Sequence, residues 1–339
     1  MTFAPSSTDA SSPRNGRLYT NPVWDQEFGD PFILAHTEGY VAFGTGPTHG
    51  GGAIPTLLSE DLVHWRAGEP AIPMPERAIR GHAKIDVWAP EALAWEGRFY
   101  LYYSTDALGE GHRIHVAVAD RAEGPYLPVG PLSDPALGFS IDGHPFHDRV
   151  EDGGDGSLWF FFASDVLDGD RPGTTLFADR MISPTELAGE AHVVLRANSD
   201  WAIYARQRAA YGGVYDWHTL EGPFVLRRGG RLVMLFSGGN FHDETYGVDF
   251  ATADHPLGPW HLDPVEAPRV LRTVPGSVIG PGHNSVVSLP PENGGGDLIV
   301  YHAWNPDLSR RTLRLDPLRW TEDGPRVDGP TVHATDLLR

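Results

Sequence analysis

The chain of 339 residues contains no cysteine, which excludes disulfide staples and thiolate chemistry. Its 26 basic residues include one lysine, Lys84, and face 45 acidic residues, for a formal charge of −19. So acidic a chain is unsuited to phosphate backbones, anionic membranes or polyanionic substrates, because like charges repel. The use of arginine for nearly every other base reads as coding bias and not as a phosphate site. No apolar run approaches the roughly 20 residues that cross a bilayer. Residues Met1 to Asn15 lack the basic start and apolar stretch of a secretory leader, so a cytoplasmic protein is expected. Residues 1–16 read as a flexible N-terminal segment ahead of a single domain over 17–339.

Glycine (40) and proline (30) are abundant, and their density excludes a helical bundle or coiled coil. Aromatic residues at 11% and hydrophobic residues at 40% provide for a real core and exclude a disordered chain. The organising feature is a repeat. A glycine followed by an apolar, aromatic-rich strand occurs five times, as Gly39-YVAF, Gly97-RFYLYY, Gly156-SLWFFF, Gly230-RLVMLF and Gly296-DLIVY. A shorter strand opening on a polar residue precedes each glycine: Asp30-PFIL, Glu91-ALAW, Asp142-GHPF, Glu221-GPFVL and His283-NSVV. Third strands such as Ile114-HVAVA and Gly247-VDFATA follow. Three or four antiparallel strands per unit, five units and no helical period predict an all-β, five-bladed β-propeller. The units exceed the usual blade of about 40–50 residues, so long loops are expected on one face.

The first strand of each propeller blade lines the central channel, and matching ends of those strands converge at one mouth. The converging set here is Asp30, Glu91, Asp142, Glu221 and His283. Each has a bland reading: Asp30 in an Asp-Pro turn, Asp142 in an Asx-turn, Glu221 before a tight Gly-Pro bend. The shared register weighs against those readings, because chance turns need not recur at one place in successive blades. Four carboxyl-bearing residues and a histidine at one mouth repel one another and stabilise little, yet they suit acid–base chemistry.

The ordered series GDPF, WAPEALAWEGRFYLYYS, SIDGHPF, WHTLEGPF with GRLVMLFSGG, and GPGHNSV with YHAW resembles glycoside hydrolase family 43 from about Asn21 to Pro330. The resemblance implies an inverting hydrolase of furanoside or xyloside bonds. It implies Asp30 as general base, Asp142 as the residue that tunes the acid's pKa, and Glu221 as general acid. It places His283 in the channel, against water or a calcium ion held mainly by water, with no other cofactor required. Arg311 falls on the position that donates to sugar hydroxyls, its strand neighbour Arg310 being the natural confusion. An inverting enzyme needs its acid and base about 6.5–9.5 Å apart, with the acid's pKa raised by a nearby carboxylate. Trp88 and Phe32 are candidate platforms under the sugar, although each could equally pack between blades. Glu91 reads as structural, with a place at the mouth that keeps it among the substrate-binding candidates.

His144, His147, His242, His283 and His302 are scattered without an HExxH pair, against a catalytic transition metal. The loops Glu151-DGGDG and Pro291-ENGGGD lack calcium-ligand spacing and read as hairpin turns. The fructan-cleaving propellers are set aside, because NDPNG, RDP and a Glu-Cys acid are all missing. A non-catalytic carbohydrate-binding propeller remains as an alternative of a different class. Differentiation of the channel residues from blade to blade favours an enzyme over it. A small oligosaccharide is the expected partner, and an exo-acting α-L-arabinofuranosidase the expected activity, ahead of endo-1,5-α-L-arabinanase and β-D-xylosidase.

Overall fold

The computed structural model describes residues 18–48, 52–73, 86–106, 111–290 and 295–337. The segment 1–16 and Lys84 therefore lie outside the described residues, as does part of the loop that begins at Pro291. Five antiparallel units follow one another along the chain, and the only helical turns among the described residues are three short 3₁₀ turns.

Blade 1 is built from Gly29–His36, Gly39–Thr45, Thr56–Ser59 and Arg66–Ala67. Blade 2 takes Val87–Trp95, Arg98–Thr105, Arg113–Ala119 and Leu127–Pro131. Blade 3 takes Ser140–His147, Leu158–Val166 and Gly173–Ser183, with the short strands Glu186–Leu187 and His192–Leu195 at its outer edge. Blade 4 uses the second half of the long strand Gly213–Arg228, then Arg231–Gly238 and Gly247–Ala253. Its fourth strand is reduced to a bridge between Thr252 and His261. Blade 5 takes Ile279–Ser288, Asp297–Trp304, Arg311–Thr321 and Gly324–Val327. Blades 3 and 4 are joined by a parallel contact, Gly173 with His218 and Thr174 with Thr219. A Cβ on Gly173 would overlap the His218 carbonyl, so only glycine allows that approach.

The second strand of each blade is an uninterrupted apolar run because it is covered on both sides. Successive side chains on a strand point to opposite faces. In blade 3, Phe161 packs toward blade 4 with Leu220 and Phe236, whereas Phe160 and Phe162 pack toward blade 2 with Tyr102, Ile114 and Val116. All three phenylalanines are buried, each worth about 1.5–3 kcal/mol in removed apolar surface. The loop after Glu151 closes the hairpin between the first two strands of this blade, with Asp155 accepting from the Ser157 N–H at 2.9 Å.

The ring is closed where the chain ends meet. Leu18–Tyr19 pairs with Thr335–Asp336, and Trp24 bridges Leu313 in blade 5. The buried Asp316 carboxylate gathers this seam. It accepts from the Tyr19 hydroxyl at 3.0 Å, the Tyr301 hydroxyl at 2.7 Å and the Thr331 hydroxyl at 2.6 Å. Asp316→Ala leaves those three donors without their acceptor, and a loss of about 3 kcal/mol is expected. Urea titration should show the midpoint lowered, with Asp316→Asn retaining part of the stability.

Candidate active site

Each inner strand carries a residue in the left-handed region at a matching place: Asp30 (φ 49), Ala89 (φ 46), Asp142 (φ 59), Gly222 (φ 54) and His283 (φ 48), with Gly280 (φ 53) a second one in blade 5. At each of these residues the pairing with the second strand slips, between Gly29 and Phe32, Trp88 and Glu91, Ile141 and His144, Glu221 and Phe224, and Gly282 and Ser285. A bulge at the same place in every blade re-aims the local side chains. The structural register therefore refines the sequence alignment of the five strands. Asp30, Asp142 and His283 are true equivalents. Glu221 precedes its bulge residue by one position, and Glu91 follows its own by two.

Those offsets sort the candidates by depth. A cavity of about 220 Å³ is lined by Asp30, Asp142, Glu221, His283, Arg311 and Trp88, together with Thr45, Ile141 and Phe241. Phe32 and Glu91 are not brought to it. Phe32 is buried in the core and borders a second cavity below, shared with Phe224 and His144. Glu91 is buried with its Oε2 2.6 Å from Nδ1 of His144. The two residues hold matching places beyond the bulge, which puts them a step down the channel. Trp88 lies at the mouth with one face stacked on His112, ring centres 3.5 Å apart.

The electrostatics separate the carboxyls. Burial alone would raise the Asp30 carboxyl, but the Arg311 guanidinium holds it well below the usual carboxylate range. Arg311 Nη1 lies 3.1 Å from its Oδ1. His302 Nδ1 lies 3.0 Å from the Asp30 backbone N and 3.2 Å from Oδ1, and His283 Nδ1 is 3.5 Å from Oδ1. Burial lowers both histidines, His302 to about 4, so they stand neutral beside the carboxylate. Burial, reinforced by the Asp30 charge, pushes Glu221 up to about 7 even though the Tyr246 hydroxyl donates to its Oε1 at 2.5 Å. Asp142 is also pushed up, by burial and by repulsion from Glu221, while its Oδ2 accepts the Gly222 N–H at 3.0 Å. One cavity thus holds a carboxylate kept ionised and a pair of carboxyls that retains a proton.

Several of these partners were invisible in the sequence. Glu27 fixes Arg311 by accepting its Nε at 3.0 Å and its backbone N at 2.8 Å. Gly29 permits this, because a Cβ there would overlap the Arg311 guanidinium. Arg310 points the other way and pairs with Asp25 at 2.9 Å, as strand alternation requires. Tyr246 precedes the third strand of blade 4 and carries no local motif, and His302, within the YHAW stretch, reaches Asp30 from blade 5 across the ring closure. Among the described residues no group of three or more His, Asp or Glu side chains is placed to hold a metal ion. The side chains around His283 therefore do not by themselves form a calcium site.

The family model for glycosyl hydrolases family 43 matches residues 19–325. The chain belongs to this family. It folds as a five-bladed propeller, the fold of the family's solved structures. The crystal structure of a thermostable family-43 glycoside hydrolase is similar, at 28% identity and a TM-score of 0.80, over 95% of this chain and 99% of that one. An extracellular exo-α-(1→5)-L-arabinofuranosidase of Streptomyces avermitilis is 25% identical over 92% of this chain and 65% of its own length. One of Streptomyces chartreusis is 26% identical over 84% of this chain and 82% of its own length. The chain thus spans just under two thirds of the first relative. Both relatives are extracellular enzymes, which overturns the expectation of a cytoplasmic one. That expectation rested on the character of the first fifteen residues, which does not decide the compartment. No helix among the described residues is long and apolar enough to cross a membrane.

Two pH effects follow from the partners. Arg311→Met removes the cation that keeps Asp30 ionised, so the base protonates at higher pH. The acid limb of the kcat profile should move up by about 1–3 pH units. Tyr246→Phe removes a donor that favours ionised Glu221, so the acid keeps its proton to higher pH. The alkaline limb, measured on a substrate with a sugar leaving group, should rise by about one unit.

Proposed function

We propose that the protein is an inverting, exo-acting α-L-arabinofuranosidase that releases L-arabinose from arabino-oligosaccharides. The observation that carries the mechanism is the opposite protonation bias of Asp30 and Glu221 across one cavity. A base must be ionised and an acid protonated at the same pH, and here a buried guanidinium serves the first while burial serves the second. Asp30 accepts a proton from water as the water oxygen bonds to the anomeric carbon. Glu221 gives its proton to the glycosidic oxygen as that oxygen leaves with the bond electrons. Both groups then return to their starting states by exchange with solvent, and the anomeric configuration is inverted. Asp142, the other carboxyl of the pair, tunes the proton affinity of its neighbour.

Arg311, held by Glu27 on one side, keeps further N–H donors for hydroxyls of the terminal sugar while it shields Asp30. Trp88 offers a flat ring at the mouth. The choice of arabinose is supported by the similarity to the two Streptomyces exo-α-(1→5)-L-arabinofuranosidases.

The substrate is tested by a timed product profile on linear α-1,5-arabino-oligosaccharides, with xylo-oligosaccharides in parallel. Arabinose as sole early product is expected. Xylose in its place, or longer arabino-oligosaccharides from the start, would replace the reading with a β-xylosidase or an endo-arabinanase. Glu221→Gln should lose about 10²–10⁴-fold on these natural linkages and recover in part on an aryl arabinofuranoside that needs no protonation. Asp30→Asn should be inactive on both, because every leaving group requires the activated water.

A further inference from the structure

The five bulge residues share a second regularity that runs between blades. Four of the five offer their backbone N–H across the channel wall to the second strand of the preceding blade. Ala89 N–H is accepted by Thr45 Oγ1 at 2.8 Å, Asp142 N–H by Ser104 Oγ at 3.1 Å and His283 N–H by Ser237 Oγ at 2.7 Å. Asp30 N–H meets His302 Nδ1 at 3.0 Å, which carries the pattern across the closure of the ring. These acceptors are register equivalents, paired with Trp88, Glu221, Gly282 and Gly29 one position before each bulge.

The remaining junction, from blade 3 to blade 4, breaks the pattern. The equivalent residue there is Ala163, paired with Ile141, which has no side-chain acceptor. Ala163 is fully buried in the cluster that holds Leu220 and Phe236 of blade 4, so it does face this junction. The adjacent Ser164 turns its hydroxyl to the Phe139 carbonyl at 2.6 Å. Gly222 N–H is left for a different acceptor and donates to Asp142 Oδ2 at 3.0 Å.

We propose that Ala163 is a positioning residue: by withholding an acceptor at this one junction, it reserves the Gly222 N–H for the Asp142 carboxylate and so leaves the shared proton on Glu221. A backbone N–H can only donate, so it favours a charged Asp142, whose carboxylate accepts it more strongly than the protonated carboxyl does. The Tyr246 hydroxyl at Glu221 can donate to the carboxylate or turn and accept from the acid. The asymmetry of the two partners, and not of the two carboxyls, selects which one is the acid. This inference rests on the assignment of Glu221 as acid, and does not depend on which sugar is cleaved.

Ala163→Ser supplies the missing hydroxyl. With Gly222 N–H captured, Asp142 gains proton affinity at the expense of Glu221, and the fraction of enzyme with a usable acid falls. The plateau kcat on substrates with sugar leaving groups should drop about tenfold. An activated aryl leaving group should be largely spared, and the alkaline limb should not move down. Ala163→Cys, of similar size but a weak acceptor, should stay near wild type. Equal losses on both kinds of leaving group, no loss, or the same loss in Ala163→Cys would overturn the proposal. A second measurement uses the wild-type protein and needs neither folding of a variant nor a known substrate. The Gly222 amide shift, followed by ¹⁵N NMR, should track the titration of the Asp142 carboxyl read by ¹³C. An amide that ignores that titration would overturn the proposal as well. Should no arabinoside or xyloside be cleaved, the substrate reading fails while this titration, repeated on Ala163→Ser, where the amide should lose its response, still decides the role of Ala163.

Discussion

A left-handed residue at the matching place in each inner strand governs the geometry of the channel. The resulting bulge slips the strand register by one residue in all five blades, so neighbouring positions along the chain arrive at different depths. Asp30, Asp142 and His283 occupy the bulge itself. Glu221 stands one residue before it and reaches the same cavity from blade 4. Phe32, His144, Phe224 and Glu91 stand two residues beyond it and belong to the wall below. Without the bulges, strand alternation alone would have set these side chains at other levels.

Crowding of acids at one mouth is tolerable only because each carboxyl has a different answer to burial. Asp30 is compensated by a guanidinium that is itself anchored by Glu27. Glu221 and Asp142 lack a cation of their own and answer by keeping a proton between them. Glu91, deeper still, meets a histidine. Four buried carboxyls thus take three solutions, and the differences among them supply the acid and the base.

The arginine at the site shows how close packing and chemistry share the same residues. Its guanidinium lies over Gly29, where any side chain would displace it, and a residue next to the base is therefore glycine for steric reasons. Trp88 combines the two readings open to it, stacked on His112 at one face and lining the cavity as well.

The repeat of glycine-led aromatic strands was enough to read the fold, because a strand buried on both faces has no polar alternation and its hydrophobic run is legible in isolation. The same spacing placed Asp30, Asp142 and Glu221 at the channel mouth, since inner strands of a propeller converge there. The depth of Glu91 and Phe32 was not legible, because the bulge that sets it is a property of backbone dihedrals and not of composition. Nor were the roles of Glu27 and His302, which exist only through contacts with strands distant along the chain, or that of Tyr246, set by a loop of its own blade. By itself the sequence determined the architecture and the cast of carboxyls, through patterns local to each blade. Which carboxyl is kept ionised and which pair keeps a proton was decided by tertiary structure, because a pKa depends on the charges, donors and burial that neighbouring blades bring together.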